Sequence, residues 1–239
     1  MAISEKRLNG VCDIRMLFLL LLAFFFFWSV FYYLFAIEKP KLYYNRNSKI
    51  SNFLVKECKE LNSYYYPLFL CINGHINNFI GLALWSIPVL NWERTLNIEL
   101  HDGGLVTVDI IGFKENLNDS RPVIFILHGL TGDSSDFTRY AKDALARGYR
   151  VACMNRRGHG KAILRNKILP ATSRFEDVKA SVDKIKSMAP NAPIFAIGFS
   201  AGSGYLSSYM SMEDPATNPL SAAAFVRYAS HQQNFWFSK

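Results

Sequence analysis

The feature that most constrains this chain is a serine set between two glycines at the end of an apolar run. Residues 196–202 read Ala-Ile-Gly-Phe-Ser-Ala-Gly, so Gly198 and Gly202 flank Ser200 in the pattern Gly-x-Ser-x-Gly. Glycine lets neighbouring backbone come close enough for a very tight turn from a strand into a helix. Such a turn holds the serine hydroxyl clear of the sheet and aims the amide of Ala201 at a developing oxyanion. The pattern therefore predicts Ser200 as a catalytic nucleophile.

The residues around this serine favour the same interpretation. Residues 192–197 form a short apolar run bounded by turn residues, which predicts a strand. Residues 203–210 can continue as a helix that packs Tyr205, Leu206 and Tyr209 inward. An ordinary strand-to-helix turn is the alternative, because small residues are common in such turns. The distinction depends on a second loop upstream.

That second loop follows another buried strand. Residues 123–127 are continuously apolar, as expected in a parallel sheet covered by helices on both faces. The strand runs into His-Gly-Leu-Thr-Gly at residues 128–132, a loop that can present a backbone N–H opposite the serine turn. We expect the amide of Leu130 to be this second oxyanion donor, with Gly129 as a loop glycine.

Two histidines near these motifs are not expected to act in catalysis. His128 and Asp133 also match the spacing of a His/Asp acyltransferase pattern, but that pattern needs a phosphate-binding helical context that the sequence lacks. His159 lies in a glycine-rich turn after the strand at residues 149–154, and we expect it at the surface rather than acting as a base.

Strand and helix patterns alternate along the second half of the chain. The runs 95–100 and 105–111 are joined by a loop containing Asp-Gly-Gly, which predicts a β-hairpin. Helical spacing of apolar residues follows at 137–147 and 175–188. The alternation predicts an α/β fold with a mostly parallel sheet, helices on both faces, and a site at the carboxyl ends of the strands.

The N-terminal part has a different character. Residues 16–37 are an apolar run that would extend about 33 Å as a helix, enough to cross a bilayer. A signal peptide has a shorter apolar region and a small-residue cleavage site, whereas aromatic residues occupy that place here. We therefore expect an uncleaved single-pass anchor and a bilayer as one partner. Basic residues flank both ends of the run, so the orientation stays open.

The remaining composition excludes several classes of protein. The net charge of +8 is spread along the chain without a dense basic block, which argues against nucleic-acid binding. Four scattered cysteines predict neither a disulfide framework nor a metal site, and we expect no cofactor. The expected organisation is a flank at 1–15, an anchor at 16–37, a linker with a helical and irregular aromatic lead-in at 38–94, a partial catalytic domain at 95–226 and a divergent tail at 227–239.

In combination, these motifs resemble the α/β-hydrolase superfamily. More narrowly, the chain is similar to its membrane-anchored lipase and esterase branch, which includes yeast medium-chain fatty-acid ethyl ester synthases and animal acylglycerol and phospholipid hydrolases. The resemblance rests on Tyr66-Pro67, Gly74-His75, Asp102-Gly103-Gly104 with Asp109, residues 128–132, residues 155–158 and residues 198–202. It implies an endomembrane serine hydrolase of lipid or short- to medium-chain acyl esters, with Ser200 as nucleophile.

The sequence departs from this family after the serine. The family order places an acid and then a histidine on later strands. Downstream of Ser200, however, the only acids are Glu213 and Asp214, and the only histidine is His231. Asp214 lies before the next strand at residues 220–226, and His231 comes too soon for the strands that should precede it. We therefore expect either a membrane-bound serine hydrolase or a truncated, inactive product that acts as a binding or regulatory protein.

Overall fold

The computed structural model describes residues 2–69, 73–85, 88–113, 119–168 and 174–226. Contacts divide the chain into two compact units, Met1–Leu84 and Trp85–Lys239.

The first unit is helical. Helix α1 runs over Ala2–Phe31 and widens into a π-helical turn at Tyr32–Ala36. Its segment Ile14–Ala36 is 23 residues long, which by length and composition is sufficient to cross a membrane. Helix α2 follows at Lys49–Glu57, with Ser48 accepting a hydrogen bond from the Ser51 amide as its N-cap, and a 3-10 turn covers Lys59–Asn62.

Helix α3, at Gly74–Trp85, corrects one expectation. The sequence at residues 74–78 was predicted to belong to the irregular aromatic lead-in. The structure forms a helix there since Asn73 caps it: the Asn73 side-chain oxygen accepts from the His75 amide at 2.9 Å. An asparagine at this position satisfies a backbone donor that the first turn of a helix leaves unpaired.

The second unit contains a six-stranded sheet. The strands are β1 (Arg94–Glu99), β2 (Leu105–Ile111), β3 (Val123–Leu127), β4 (Arg150–Asn155), β5 (Ile194–Phe199) and β6 (Leu220–Val226). Their order across the sheet is β1-β2-β4-β3-β5-β6. The pairs β1–β2 and β2–β4 are antiparallel, and the remaining three pairs are parallel. The predicted hairpin and the mostly parallel sheet are confirmed.

Helices cover both faces of this sheet. Helix α4 (Thr138–Ala146), which a 3-10 turn at Ser134–Phe137 precedes, packs on one face over Ile126, Val151 and Cys153. Helices α5 (Phe175–Met188) and α6 (Ala201–Met212) pack on the other face, where Val178, Val182, Ile185, Tyr205, Leu206 and Tyr209 join a larger apolar cluster. The inward packing predicted for Tyr205, Leu206 and Tyr209 is therefore present.

Candidate active site

The loops after three neighbouring strands meet at one edge of the sheet. In the parallel register Leu127 of β3 lies opposite Met154 of β4 and opposite Gly198 of β5. The three strands therefore end at nearly the same level. This alignment places the loop at His128, the loop at Asn155 and the turn at Ser200 side by side, as expected at the carboxyl ends of parallel strands.

Ser200 occupies an unusual backbone conformation. It has φ 50° and ψ −114°, and it is the only residue other than glycine with positive φ in the part of the chain that the structure describes. The residue lies between the end of β5 and the start of α6, and it is exposed. A strained non-glycine residue of this kind costs roughly 1–3 kcal/mol and persists where the surrounding structure imposes it. In this conformation Ser200 is exposed at the end of β5.

The two flanking glycines are required by close backbone contacts. A Cβ atom on Gly198 would lie 2.6 Å from the Gly202 carbonyl oxygen and 2.7 Å from the Ser203 Cα atom. A Cβ atom on Gly202 would overlap the Leu127 carbonyl oxygen and lie 2.8 Å from that of His128. Any larger residue would thus push α6 away from β5 or from the end of β3.

Two hydrogen bonds from beyond the motif support the turn. The Ser200 amide donates to the Val226 carbonyl at the end of β6, at 2.9 Å. The Ser203 hydroxyl contacts the carbonyl oxygens of Gly198 and Val226, at 2.6 and 3.2 Å. The last described strand therefore helps to hold the first turn of α6.

The loop after β3 lies against this turn. A Cβ atom on Gly129 would be 3.6 Å from the Ser200 Cβ atom, an ordinary contact distance, so a side chain there would occupy the space beside the serine. The Leu130 side chain is 65% exposed. The structure thus places Gly129 beside Ser200.

The carbonyl groups of this loop are held by a buried arginine. Arg156, which directly follows β4, donates through Nη2 to the carbonyl oxygens of Gly129 and Leu130 at 2.6 and 2.7 Å. His159 Nε2 lies 2.9 Å from the same Leu130 oxygen. The two groups of a trans peptide point in opposite directions. Fixing the Gly129 carbonyl toward Arg156 therefore turns the Leu130 N–H away from it.

His128 contributes a further hydrogen bond to the same loop. Its Nε2 accepts from the Arg156 amide at 3.2 Å, so Nδ1 carries the proton and donates to the Gly129 carbonyl at 2.7 Å. Burial, together with the nearby Arg156 charge, lowers the pKa of His128 to about 3. Since both ring nitrogens are engaged and the ring is buried, His128 has no free position for acyltransferase chemistry.

The far end of the loop is held by a buried polar cluster. Asp109 of β2 accepts from the Ser134 hydroxyl at 2.6 Å and from the Asn155 side-chain amide at 2.8 Å, and it also pairs with Thr95. The Asn155 side-chain oxygen accepts from the Ser134 amide at 2.8 Å. Both ends of the segment from His128 to Ser134 are therefore tied to the sheet, which leaves its backbone little freedom.

Within the described residues, the backbone amides of Leu130 and Ala201 have no backbone acceptor. Ala201 is the first residue of α6, where the N–H groups have no partner within the helix. The positive end of the helix dipole adds to the partial charge at this position. The environment of Ser200 is thus suited to negative charge.

The acids that follow Ser200 make other contacts. Glu213 pairs with Lys179 at 3.0 Å, and Asp214 accepts from the Ala216 amide in an exposed turn. His231 and the rest of the tail lie outside the described residues. Groups of three or more side chains that could bind a metal ion are absent from the residues that the structure describes.

Sequence reasoning missed the roles of Arg156 and His159. His159 was predicted at the surface, but it is partly buried and contacts the Leu130 carbonyl. The available signal was the pair Arg156-Arg157 directly after a buried strand, a position where charged side chains need partners. Arg157 has such partners: its guanidinium donates to the Asp177 carboxylate at 2.7 and 2.9 Å and to the Asp102 carboxylate at 2.7 Å.

Comparison with known proteins gives relatives with consistent descriptions. Over 204 residues the chain is 30% identical to phospholipase ABHD3 of Mus musculus, covering 81% of this chain and 48% of that protein. It is 29% identical to monoacylglycerol lipase of Saccharomyces cerevisiae over 107 residues, or 44% of this chain and 24% of that one. It is 30% identical to medium-chain fatty acid ethyl ester synthase/esterase 2 of the same yeast over 106 residues, with coverage of 43% and 23%.

The chain spans about half the length of the first of these relatives, at 48%. A family described as serine aminopeptidase, S33, within the group Hydrolase_4, matches residues 118–237. That match covers half of the chain and includes the loops after β3, β4 and β5. Together with the sheet order and the serine turn, it shows that the chain belongs to the α/β-hydrolase superfamily.

Proposed function

We propose that this protein is a serine hydrolase of carboxylic esters in which Ser200 is the nucleophile. The observation that carries the proposal is the backbone of Ser200, whose positive φ occurs at a strand-to-helix turn with glycines on both sides. An exposed serine at a turn of this kind is the arrangement that hydrolases of this fold use, which supports the proposal. Attack on an ester carbonyl would form an acyl-enzyme and release the alcohol, and water would then release the acid.

The oxyanion of the tetrahedral intermediate would be bound by the amides of Leu130 and Ala201. Support comes from the absence of a backbone acceptor for either amide among the described residues and from the hydrogen bonds that hold the Gly129 carbonyl away. Removing one such donor typically costs about 10²–10³ in rate. In this proposal Arg156 is a positioning residue, because it acts on the reaction only through the loop.

The substrates would be lipids or other acyl esters presented at a membrane. The relatives named above include a phospholipase and a monoacylglycerol lipase, and the apolar helix segment Ile14–Ala36 would anchor the protein in the bilayer. Phe199, the residue directly before Ser200, is half-buried and would offer apolar contact to an acyl chain.

A general base is not assigned among the described residues. The two histidines nearest the loop, His128 and His159, both use their ring nitrogens on backbone groups. Without a base, a related serine enzyme loses several orders of magnitude in rate. The second candidate function is therefore an inactive binding or regulatory protein at the membrane, as expected if the acid and the base are missing.

A fluorophosphonate probe on the purified chain in detergent tests the proposal. We expect labelling that Ser200→Ala abolishes and that the control Ser211→Ala leaves unchanged, since Ser211 is an exposed residue of the same helix. Labelling that persists in Ser200→Ala would assign the nucleophile elsewhere. A folded chain that takes up no probe would favour the inactive protein.

A further inference from the structure

A short segment of the first unit is hydrogen-bonded to the apolar helix. The Trp28 indole N–H donates to the Phe69 carbonyl at 2.9 Å, and the Tyr32 hydroxyl donates to the Pro67 carbonyl at 2.6 Å. The rings of Tyr32 and Phe69 are 5.2 Å apart, centroid to centroid. Residues 67–69 therefore lie against the C-terminal part of the segment that is long enough to cross a membrane.

The position of Trp28 sets the depth of this segment. Trp28 precedes Ala36, the end of the apolar stretch, by eight residues. At 1.5 Å per residue this separation corresponds to about 12 Å along the helix axis. If the helix crosses a bilayer, as proposed above, the main chain at Phe69 lies about 12 Å inside the end of the span.

The hydrogen bonds to the Pro67 and Phe69 carbonyls are of the kind that backbone within the hydrocarbon region of a bilayer requires. Irregular backbone is unstable in hydrocarbon unless its polar groups find partners within the protein. Here the carbonyl groups of Pro67 and Phe69 are paired with side chains of the helix, and Pro67 has no N–H to satisfy. In water these carbonyls would need no such partners, so the pairing favours a water-poor environment.

Helix α3 begins close to this segment and exposes apolar side chains. Gly74 follows Phe69 by five residues, a length of chain that spans at most about 18 Å. Phe79 is 76% exposed and Ile76 48% exposed, and the twelve residues of α3 include no Asp, Glu, Lys or Arg. At about 18 Å in length, α3 is too short to cross a bilayer and suits a position within one leaflet.

The neighbouring charges also suit a membrane surface. The Tyr65 amide donates to the Glu38 carbonyl at 2.8 Å, and the two residues form an antiparallel bridge. Lys39 and Lys41 follow Glu38 by one and three residues, and the sequence has a tyrosine at each of positions 64–66. Tyrosine and lysine are typical of the boundary between acyl chains and head groups, where anionic lipids attract basic residues.

We propose that the segment 64–69 and α3 form a second membrane-embedded element, which enters the same leaflet as the C-terminal end of the apolar helix. This element lies in the acyl-chain region of the bilayer, and Lys39 and Lys41 lie at the level of the head groups. The inference rests on the proposed membrane anchor and adds to it. The first unit would then hold the membrane by two elements rather than by one helix.

An environment-sensitive fluorophore on single cysteines tests this arrangement. The full-length chain, with its four native cysteines replaced by alanine, would be reconstituted in phosphatidylcholine vesicles with about one fifth phosphatidylserine. Labels at Phe69→Cys and Phe79→Cys should shift to the blue and be quenched by nitroxide lipids but not by iodide. Ile163→Cys, at a 71% exposed site of the second unit, should be quenched by iodide.

A label at Leu21→Cys, within the apolar helix, distinguishes the two proposals. Lipid quenching at position 21 with iodide quenching at positions 69 and 79 would overturn the second element and leave the anchor intact. Iodide quenching at position 21 would overturn the anchor itself, and with it this inference.

A conservative variant tests the hydrogen bond to the Phe69 carbonyl. Trp28→Phe keeps an aromatic ring but removes the indole N–H, so the label at position 69 should move toward water and gain iodide quenching. Ser29→Ala is the matched control, because its hydroxyl donates to the Phe25 carbonyl one turn earlier in the same helix. Equal quenching in both variants would show that the segment is placed independently of Trp28, contrary to the proposal.

Discussion

The two units of this protein differ in how far their apolar side chains are exposed. In Trp85–Lys239, Phe125 and Ile185 are fully buried, whereas Phe79 and Tyr43 of the first unit are 76% and 82% exposed. Apart from Pro67, every buried aliphatic or aromatic side chain in the described parts of the chain belongs to the second unit. The second unit therefore carries a core of its own, whereas the described apolar side chains of the first unit are mostly exposed.

The same substitution in each unit should expose this contrast most strongly. Phe125→Ala removes a ring that is fully buried in the sheet, and we expect a loss of about 4 kcal/mol in the free energy of unfolding of the second unit. Phe79→Ala, at its 76% exposed site, should change that free energy by less than about 0.5 kcal/mol. Both changes in the free energy of unfolding are measured by urea unfolding in mild detergent, with proteolysis as the readout of the unfolded fraction. Equal losses would mean that the two units share one core.

Two helical glycines allow a second test. Gly202→Ala would place a methyl group against the carbonyl oxygens of Leu127 and His128, so we expect a loss of about 3 kcal/mol and a displaced serine turn. Gly81→Ala lies within α3, where a Cβ atom meets nothing within 4 Å. Alanine should favour that helix by about 0.5–1 kcal/mol. A tolerated Gly202→Ala, measured by the same unfolding assay, would contradict the close packing of α6 on β3.

The smallest expected effect concerns pH. Because burial lowers the pKa of His128 from 6.5 to about 3, the unfolded chain binds a proton between these values that the folded chain does not. Stability should therefore fall as the pH drops below 6.5, by about 2 kcal/mol at pH 5 from this residue. His128→Gln should lack this contribution, and His75→Gln, at an exposed site of the first unit, is the control. Identical pH profiles for His128→Gln and the natural protein would show that His128 is not kept neutral by burial.

Local signals in the sequence were sufficient for much of the second unit. The Asp-Gly-Gly turn, the apolar strands and the glycines around Ser200 each depend on neighbours within a few residues, and the corresponding elements are present. Helix α3 was missed because a single side chain, Asn73, decides where it begins. The contacts of Arg156 were missed because they depend on the register that brings the end of β4 beside the end of β3.

The hydrogen bond from the Ser200 amide to the Val226 carbonyl has a consequence for how this serine is maintained. The five-residue motif is contiguous, yet part of its support comes from a strand that the chain forms only after the whole of α6. During synthesis the turn would lack this hydrogen bond until β6 docks beside β5. Amide hydrogen exchange at Ser200 would therefore report on the docking of β6 as directly as on the turn itself.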